Sequence, residues 1–146
     1  MTPRRLLVAI STGQLIAGAT GWAVAVRRRR NWDLRRPWAP WGFLHGTPEH
    51  VGRDSLWSGT AYSAPAFMLA VQLWAIRRLA AGPDQGARRL LGVCGAVMAP
   101  GYLGEKYVRA HVRPGGWDPV ETPLVVASIT LAAGMAALGS RAASGV

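Results

Sequence analysis

Four apolar stretches of about 20 residues each constrain the fold of this chain more than any other feature. They cover residues 6–26, 56–76, 87–108 and 120–138. A bilayer has a hydrocarbon core of about 30 Å, which about 20 residues of helix can cross. We therefore predict an all-α fold, a four-transmembrane-helix bundle in which residues 1–146 form a single integral membrane domain.

Positive charge lies at the ends of these stretches. The formal net charge is +10, and arginines stand in groups at Arg4-Arg5, at residues 27–30 and at Arg77-Arg78. This placement is typical of headgroup contacts and argues against a nucleic-acid partner. Ten of the 17 Lys/Arg residues fall on the face that carries the first and third connections. The positive-inside rule therefore predicts that this face is cytoplasmic, in a bacterial-type cell membrane.

Ionisable side chains are concentrated on that same face. Its acids are Asp33, Glu49, Asp54, Glu105, Asp118 and Glu121, and all three histidines, His45, His50 and His111, accompany them. The opposite face has one acid, Asp84. Because ionisable groups at a membrane are costly, their clustering predicts a functional site.

The first connection, residues 27–54, is rich in Trp and Pro, and we expect it to cover the bundle as a lid. Membrane anchoring is the alternative explanation for its tryptophans. The residues that we expect to form the wall of a substrate pocket are aromatic: Trp38, Trp41, Trp57, Tyr62, Tyr102, Tyr107 and Trp117.

Glu105 is the strongest candidate for a catalytic acid. It follows the apolar, glycine-containing segment 101–104, where loss of solvent would raise the pKa of its carboxyl. A helical continuation would place Arg109 four residues on, which leaves an exposed ion pair as the alternative. His111 lies just beyond and could complete a polar wall.

Thr47 and Pro48 are typical of a helix start, after which Glu49 and His50 would face Arg53 and Asp54 at i,i+4 spacing. The pairs are either surface ion pairs or a carboxylate-oriented histidine that faces the bundle.

Asp118 and Glu121 have the form of a capping box at the start of the fourth stretch, with Pro119 at the first helical position. A catalytic role for Glu121 would be additional to this capping.

Metal and cofactor motifs are missing from the sequence. His45 and His50 are five residues apart, no Glu-x-x-His pair occurs, and Cys94 is the only cysteine. We expect no cofactor and no metal. Glycines such as Gly13, Gly92 and Gly95 favour close helix packing, and the same faces could join two copies of the chain.

Residues 119–122, Pro-Val-Glu-Thr, match three positions of the Pro-x-Glu-acid motif of lycopene-cyclase-type proteins, with Thr122 in place of the acid. The chain also resembles the emopamil-binding sterol isomerases in its architecture and in the placement of its acids. The lycopene-cyclase resemblance implies that Glu121 is a proton donor.

From these residues we predict a membrane-embedded enzyme that isomerises, cyclises or opens an epoxide of a lipophilic, isoprenoid-like substrate by acid–base catalysis. Glu105 would be the principal acid, and Glu49, His50, Asp54 and Glu121 would act as bases or orienting groups. Two alternatives remain: a non-catalytic binder or transporter of hydrophobic molecules, and a structural membrane subunit.

Overall fold

The computed structural model describes residues 1–34 and 46–140, and these ranges are helical without a β-strand. The helices are α1 (Pro3–Arg27), α2 (Val51–Asp54), α3 (Ala66–Ala81), α4 (Gln85–Gly104), α5 (Lys106–His111) and α6 (Glu121–Ser140). The four long helices form a ring in which α1 and α4 each pack against both α3 and α6. The all-α prediction is confirmed. Within the described ranges, two helices, α1 and α6, are long and apolar enough to cross a membrane.

The first and fourth apolar stretches form α1 and α6, close to their predicted bounds. Thr2 accepts a hydrogen bond from the Arg5 N–H and Pro3 takes the first helical position, so α1 begins at a complete N-cap. The third stretch begins with α4, where Asp84 is the N-cap and accepts a hydrogen bond from the Ala87 N–H at 2.9 Å. These starts are local, which is why the sequence indicates them.

The helix expected from the second apolar stretch is α3. It begins ten residues later than predicted, at Ala66 instead of Leu56. Residues 55–65 form turns instead, in which Thr60 and Ser63 make an isolated antiparallel bridge. Gly59 has a φ of +82°, a conformation that a helix does not contain. Pro65 stands immediately before α3, where its missing N–H costs nothing, and does not kink a longer helix.

The third stretch is not continuous either. It was expected to run to Val108, but Glu105 adopts an extended conformation (φ −66°, ψ 135°) and separates α4 from α5. The break has a partner elsewhere in the chain, because the Lys106 N–H donates to the Asp33 carbonyl at 3.0 Å. Pro100 lies inside α4 without ending it.

The bundle has an apolar core that also encloses several polar side chains, and large apolar side chains lie on its outer surface. Five polar side chains of the long helices are fully buried: Ser11, Gln14, Gln72, Glu121 and Ser128. Large apolar side chains face outward from all four long helices, among them Ile16, Trp74, Val93, Val97 and Val126. Gln72 donates to the Ser11 carbonyl at 2.9 Å, so the buried amides join neighbouring helices. Many exposed large apolar side chains are typical of a protein–lipid or protein–protein contact.

The closest helix contact is between α4 and α6, where Gly92 and Gly139 face each other. A Cβ atom added at Gly95 would collide with the backbone carbonyl of Ala132, so a side chain cannot be accommodated without separating the helices. Small residues permit this approach, as predicted from the glycine content.

Candidate functional site

A cavity of about 270 Å³ opens between the start of α3 and the end of α4. Its walls come from three parts of the chain: residues 32–34, the turns before α3, and the last two turns of α4. The lining residues are Trp32, Leu34, Ser58, Thr60, Ser63, Ala64, Pro65, Met68, Val97, Met98, Gly101, Tyr102 and Glu105. We call this the Glu105 cavity, because its mainly apolar wall contains one carboxyl group.

Glu105 is 6% exposed, and its Oε2 accepts a hydrogen bond from the Asp33 N–H at 2.8 Å. The pKa of its carboxyl is raised to about 8, mainly by burial and also by the nearby charge of Asp33, although the Asp33 N–H and Arg109 act in the opposite direction. The guanidinium of Arg109 donates to the Gly104 carbonyl, so it also holds the end of α4. Glu105 is therefore protonated at neutral pH and can act as a proton donor.

Tyr102 lies one helical turn before Glu105 in the same wall. It is buried, and Gln14 of α1 donates a hydrogen bond to its hydroxyl oxygen at 3.2 Å. This contact crosses the bundle and holds the phenol at the cavity wall. Tyr102 is thus the one predicted aromatic wall residue that lines the cavity within the described part of the chain.

A second polar cluster surrounds Glu121, whose side chain is fully buried at the start of α6. The Tyr62 hydroxyl donates to its Oε2 at 2.5 Å, and Arg28 donates to its Oε1 at 2.8 Å. Arg30 contacts the same Oε1 at 3.4 Å, and the His111 ring nitrogen pairs with Oε2. We call these five residues the Glu121 cluster; it joins the end of α1, the turns before α3, α5 and α6.

Burial and the hydrogen bond to Glu121 both raise the pKa of the Tyr62 hydroxyl, so this phenol stays protonated. The other nitrogen of the His111 ring lies 2.8 Å from the Gly116 carbonyl, which orients the ring toward Glu121. Glu121 does not line the Glu105 cavity, and each of its two carboxylate oxygens contacts side chains from other segments of the chain. The cluster therefore has the features of an internal tie.

The capping role expected of Asp118 and Glu121 is divided differently. Asp118 accepts hydrogen bonds from the N–H groups of Val120 and Glu121, and these bonds, with Arg28, lower its pKa to about 2. The reciprocal bond comes from Thr122, whose hydroxyl accepts from the Asp118 N–H at 2.9 Å. The Glu121 side chain turns inward, so the expected capping box was wrong in its second acid.

Glu49 and His50 are exposed, and Asp54 is partly exposed, on the surface around α2. The His50 ring contacts the Thr47 hydroxyl at 3.0 Å, and Asp54 pairs with Arg53 at 3.6 Å. The expected i,i+4 side-chain pairs do not form within the described residues, since α2 is a single turn. None of these three predicted groups lines the Glu105 cavity, and their catalytic roles stay predictions.

The remaining predicted wall residues are dispersed. Trp57 and Trp117 are exposed, Tyr62 belongs to the Glu121 cluster, and Tyr107 stacks under the Arg30 guanidinium at 5.0 Å. Trp38, Trp41 and His45 lie outside the described residues. Trp32, from the predicted lid, does line the cavity.

Sequence reasoning missed the pairing of Asp33 with Glu105 and the grouping of Arg28, Arg30 and His111 around Glu121. Asp33 stands among arginines, which suggested simple neutralisation, and His111 was expected beside Glu105 instead. Asp33 is 72 residues from Glu105, and Arg28 and Arg30 are 93 and 91 residues from Glu121, while His111 and Glu121 belong to different helices. No local pattern signals these contacts. The described ranges contain no group of three His, Cys, Asp or Glu residues that could hold a metal ion.

No protein-family model matches the chain, and neither a curated protein nor a solved structure is significantly similar to it. The resemblances drawn from the sequence therefore stay expectations, and the site has to be interpreted from its own geometry.

Proposed function

We propose that the protein is a membrane-embedded acid–base enzyme that acts on a lipophilic substrate in the Glu105 cavity. The observation that carries this proposal is a buried carboxyl group, that of Glu105, in the wall of a mainly apolar cavity, where its raised pKa favours the protonated form. Such an acid can protonate an alkene or an epoxide oxygen, which the same acid in water could not do efficiently. The proposed reaction class is isomerisation, cyclisation or epoxide opening of an isoprenoid-like molecule.

The membrane setting is part of the proposal. The four long helices would span the bilayer, although α3, with 16 residues, is only about 24 Å long. The turns 55–65 before it would complete the crossing on the side of the site. The large apolar side chains exposed on all four long helices support this arrangement, because a surface helix of a soluble bundle turns its polar side chains to water. The face that carries Glu105 would be cytoplasmic.

In an epoxide opening, the proton of Glu105 would pass to the epoxide oxygen while a carbon–oxygen bond breaks. Positive charge would develop on the carbon, and the faces of Trp32 and Tyr102 could stabilise it. The Glu105 carboxylate left by this step would then take a proton from the neighbouring carbon, which gives an allylic alcohol and regenerates the neutral acid. Asp33 is a positioning residue here, since its N–H fixes the Glu105 carboxyl.

The direct test is turnover of candidate polyenes and epoxides by the purified protein in phospholipid vesicles. Glu105→Gln keeps the shape of the side chain but has no acidic proton, and we expect it to lower turnover by about 10²–10⁴-fold. Asp84→Asn is the matched control, because Asp84 lies on the opposite face and asparagine also caps helices. Full activity in Glu105→Gln would refute the assignment of the acid.

A second candidate function is non-catalytic binding of hydrophobic molecules. The observation that favours it is that the described cavity wall includes one carboxyl and one phenol but none of the predicted bases, Glu49, His50, Asp54 and Glu121. A binder would hold the same ligands without converting them. The turnover assay, combined with a binding measurement, separates the two functions.

A further inference from the structure

We infer that the Glu105 cavity binds a neutral lipophilic molecule with a single oxygen function, which enters sideways from the bilayer between α3 and α4. This inference rests on the proposed membrane setting and the same cavity. It concerns the class of ligand and its route, and therefore it holds whether or not Glu105 catalyses a reaction.

The position of the cavity mouth supports entry from the lipid. Val97 and Gly101 line the cavity, yet both are exposed on the outer face of α4. Val97 stands eight residues before Glu105, a rise of about 12 Å along the helix. If Glu105 lies at the membrane edge, the mouth beside Val97 lies at the depth of the acyl chains.

The glycine at this mouth keeps it open. A Cβ atom at Gly101 would have no neighbour within 4 Å, unlike the tightly packed Gly95 on the same helix. Gly101 also lacks a positive φ, so the backbone does not require glycine there. The open space beside Gly101 is therefore free to admit a ligand, and a larger side chain could close it without straining the backbone.

The cavity wall suits an apolar body with one polar end. Met68, Val97 and Met98 form apolar wall toward the middle of the bundle, and their side chains offer no hydrogen bonds that an oxygen would need. Methionine adapts its shape to irregular ligands. The polar groups come from Glu105 and from the hydroxyl-bearing residues of the turns before α3.

Glu105 defines the polar end. Its Oε2 accepts the Asp33 N–H, while its Oε1 has no hydrogen bond to any described residue. A protonated carboxyl can donate from this oxygen to an alcohol, ketone or epoxide.

An anionic ligand fits poorly, because Asp33 is buried beside Glu105 and no Lys or Arg is among the described lining residues. Arg109, the nearby cation, is directed to the Gly104 carbonyl. A carboxylate would therefore find no cation among the described lining residues, and burying it against a mainly apolar wall is costly.

Two photoreactive probes test the ligand class: a long-chain alcohol with a diazirine in its chain, and the matched carboxylic acid. Each is added to the full-length protein in phosphatidylcholine vesicles at neutral pH, and labelled residues are located by mass spectrometry. We expect the alcohol to label the end of α4, and the acid to label it roughly tenfold less, which is the ratio for a difference of about 1.4 kcal/mol. Equal or stronger labelling by the acid would overturn the inference.

A matched set of variants tests the route. Val97→Phe and Val93→Phe make the same change one turn apart on the outer face of α4, where the two valines are 55% and 59% exposed. Only Val97 lines the cavity. We expect labelling by the alcohol to fall several-fold in Val97→Phe and in Gly101→Phe, and to be unchanged in Val93→Phe. Unchanged labelling in both of the first two variants would overturn lateral entry.

Failure of this inference and failure of the proposed enzyme are distinguishable. Labelling of α4 by the alcohol without turnover of any substrate supports the inference and contradicts the catalytic proposal. Turnover that depends on Glu105, without labelling of α4 by the alcohol, overturns the inference and leaves the catalytic proposal in place.

Discussion

Replacing Glu121 by Gln should destabilise the protein strongly, because the side chain is fully buried among four polar partners. The amide keeps the volume of the carboxyl but presents an N–H group to one of two donor sets, either Arg28 and Arg30 or Tyr62 and His111. A hydrogen bond to a charged group contributes about 1.5–3 kcal/mol. The protein would lose part of this contribution and would gain an unfavourable donor–donor contact.

The exposed arginines contribute less than the buried partners. The side chains of Arg28 and Arg30 are 38% and 37% exposed, so water replaces much of what they lose. Tyr62 is buried, and the His111 side chain is 13% exposed. Counting these two bonds in full and discounting the arginines gives a loss of about 3 kcal/mol, or about 6–12 °C in melting temperature.

The measurement is thermal unfolding of the purified protein in detergent. Glu49→Gln is the matched control, because it makes the same chemical change at an exposed carboxyl, where we expect less than about 0.5 kcal/mol. Tyr62→Phe, combined with Glu121→Gln in a double-mutant cycle, should give a coupling of about 1–2 kcal/mol. A Glu121→Gln protein as stable as the control, or a cycle without coupling, would refute the internal tie.

Three further predictions use the same unfolding assay. The pKa of Glu105 is higher in the folded state, so the free energy of unfolding should decrease as the pH rises from 4.5 toward 8. Glu105→Gln should lack this decrease. The same pH profile in both proteins would contradict the raised pKa. The pKa of Asp118 is lowered to about 2, so the stability that its carboxylate contributes should disappear as the pH falls from 3.8 toward 2. Asp118→Asn should remove this dependence. An unchanged loss of stability at low pH in the variant would contradict the lowered pKa. Gly95→Ala should lower the free energy of unfolding by about 1–3 kcal/mol, since its Cβ meets the Ala132 carbonyl. Gly101→Ala, in open space, should raise it by about 0.5–1 kcal/mol. Equal effects of the two variants would contradict the close contact of α4 with α6.

Helix existence could be predicted well from the sequence, and helix bounds could be predicted where a local signal marks them. Thr2-Pro3 and Asp84 are such signals, and α1 and α4 begin beside them. The start of α3 and the end of α4 were misjudged because apolar composition continues through both places. At Glu105 the helix ends on account of Asp33, which no pattern around residue 105 contains.

The candidate site could be predicted only in part, for the same reason. The concentration of acids, histidines and tryptophans on one face follows from the order of apolar and polar segments along the chain. Whether an acid caps a helix, lines a cavity or ties segments together depends on its distant neighbours. Asp118, Glu105 and Glu121 have these three roles, and the sequence alone distinguished only Glu105 as the preferred acid.

The sequence by itself determined an all-α chain with a polar, aromatic-rich end, because helical periodicity, capping and apolar length are properties of neighbouring residues. The tertiary structure decided that Glu105 has a cavity and that Glu121 has four protein donors. Those outcomes depend on residues such as Asp33 and Tyr62, which meet the two acids only after the helices pack. Burial and charge pairing act through space, and therefore they are set by packing and not by position in the chain.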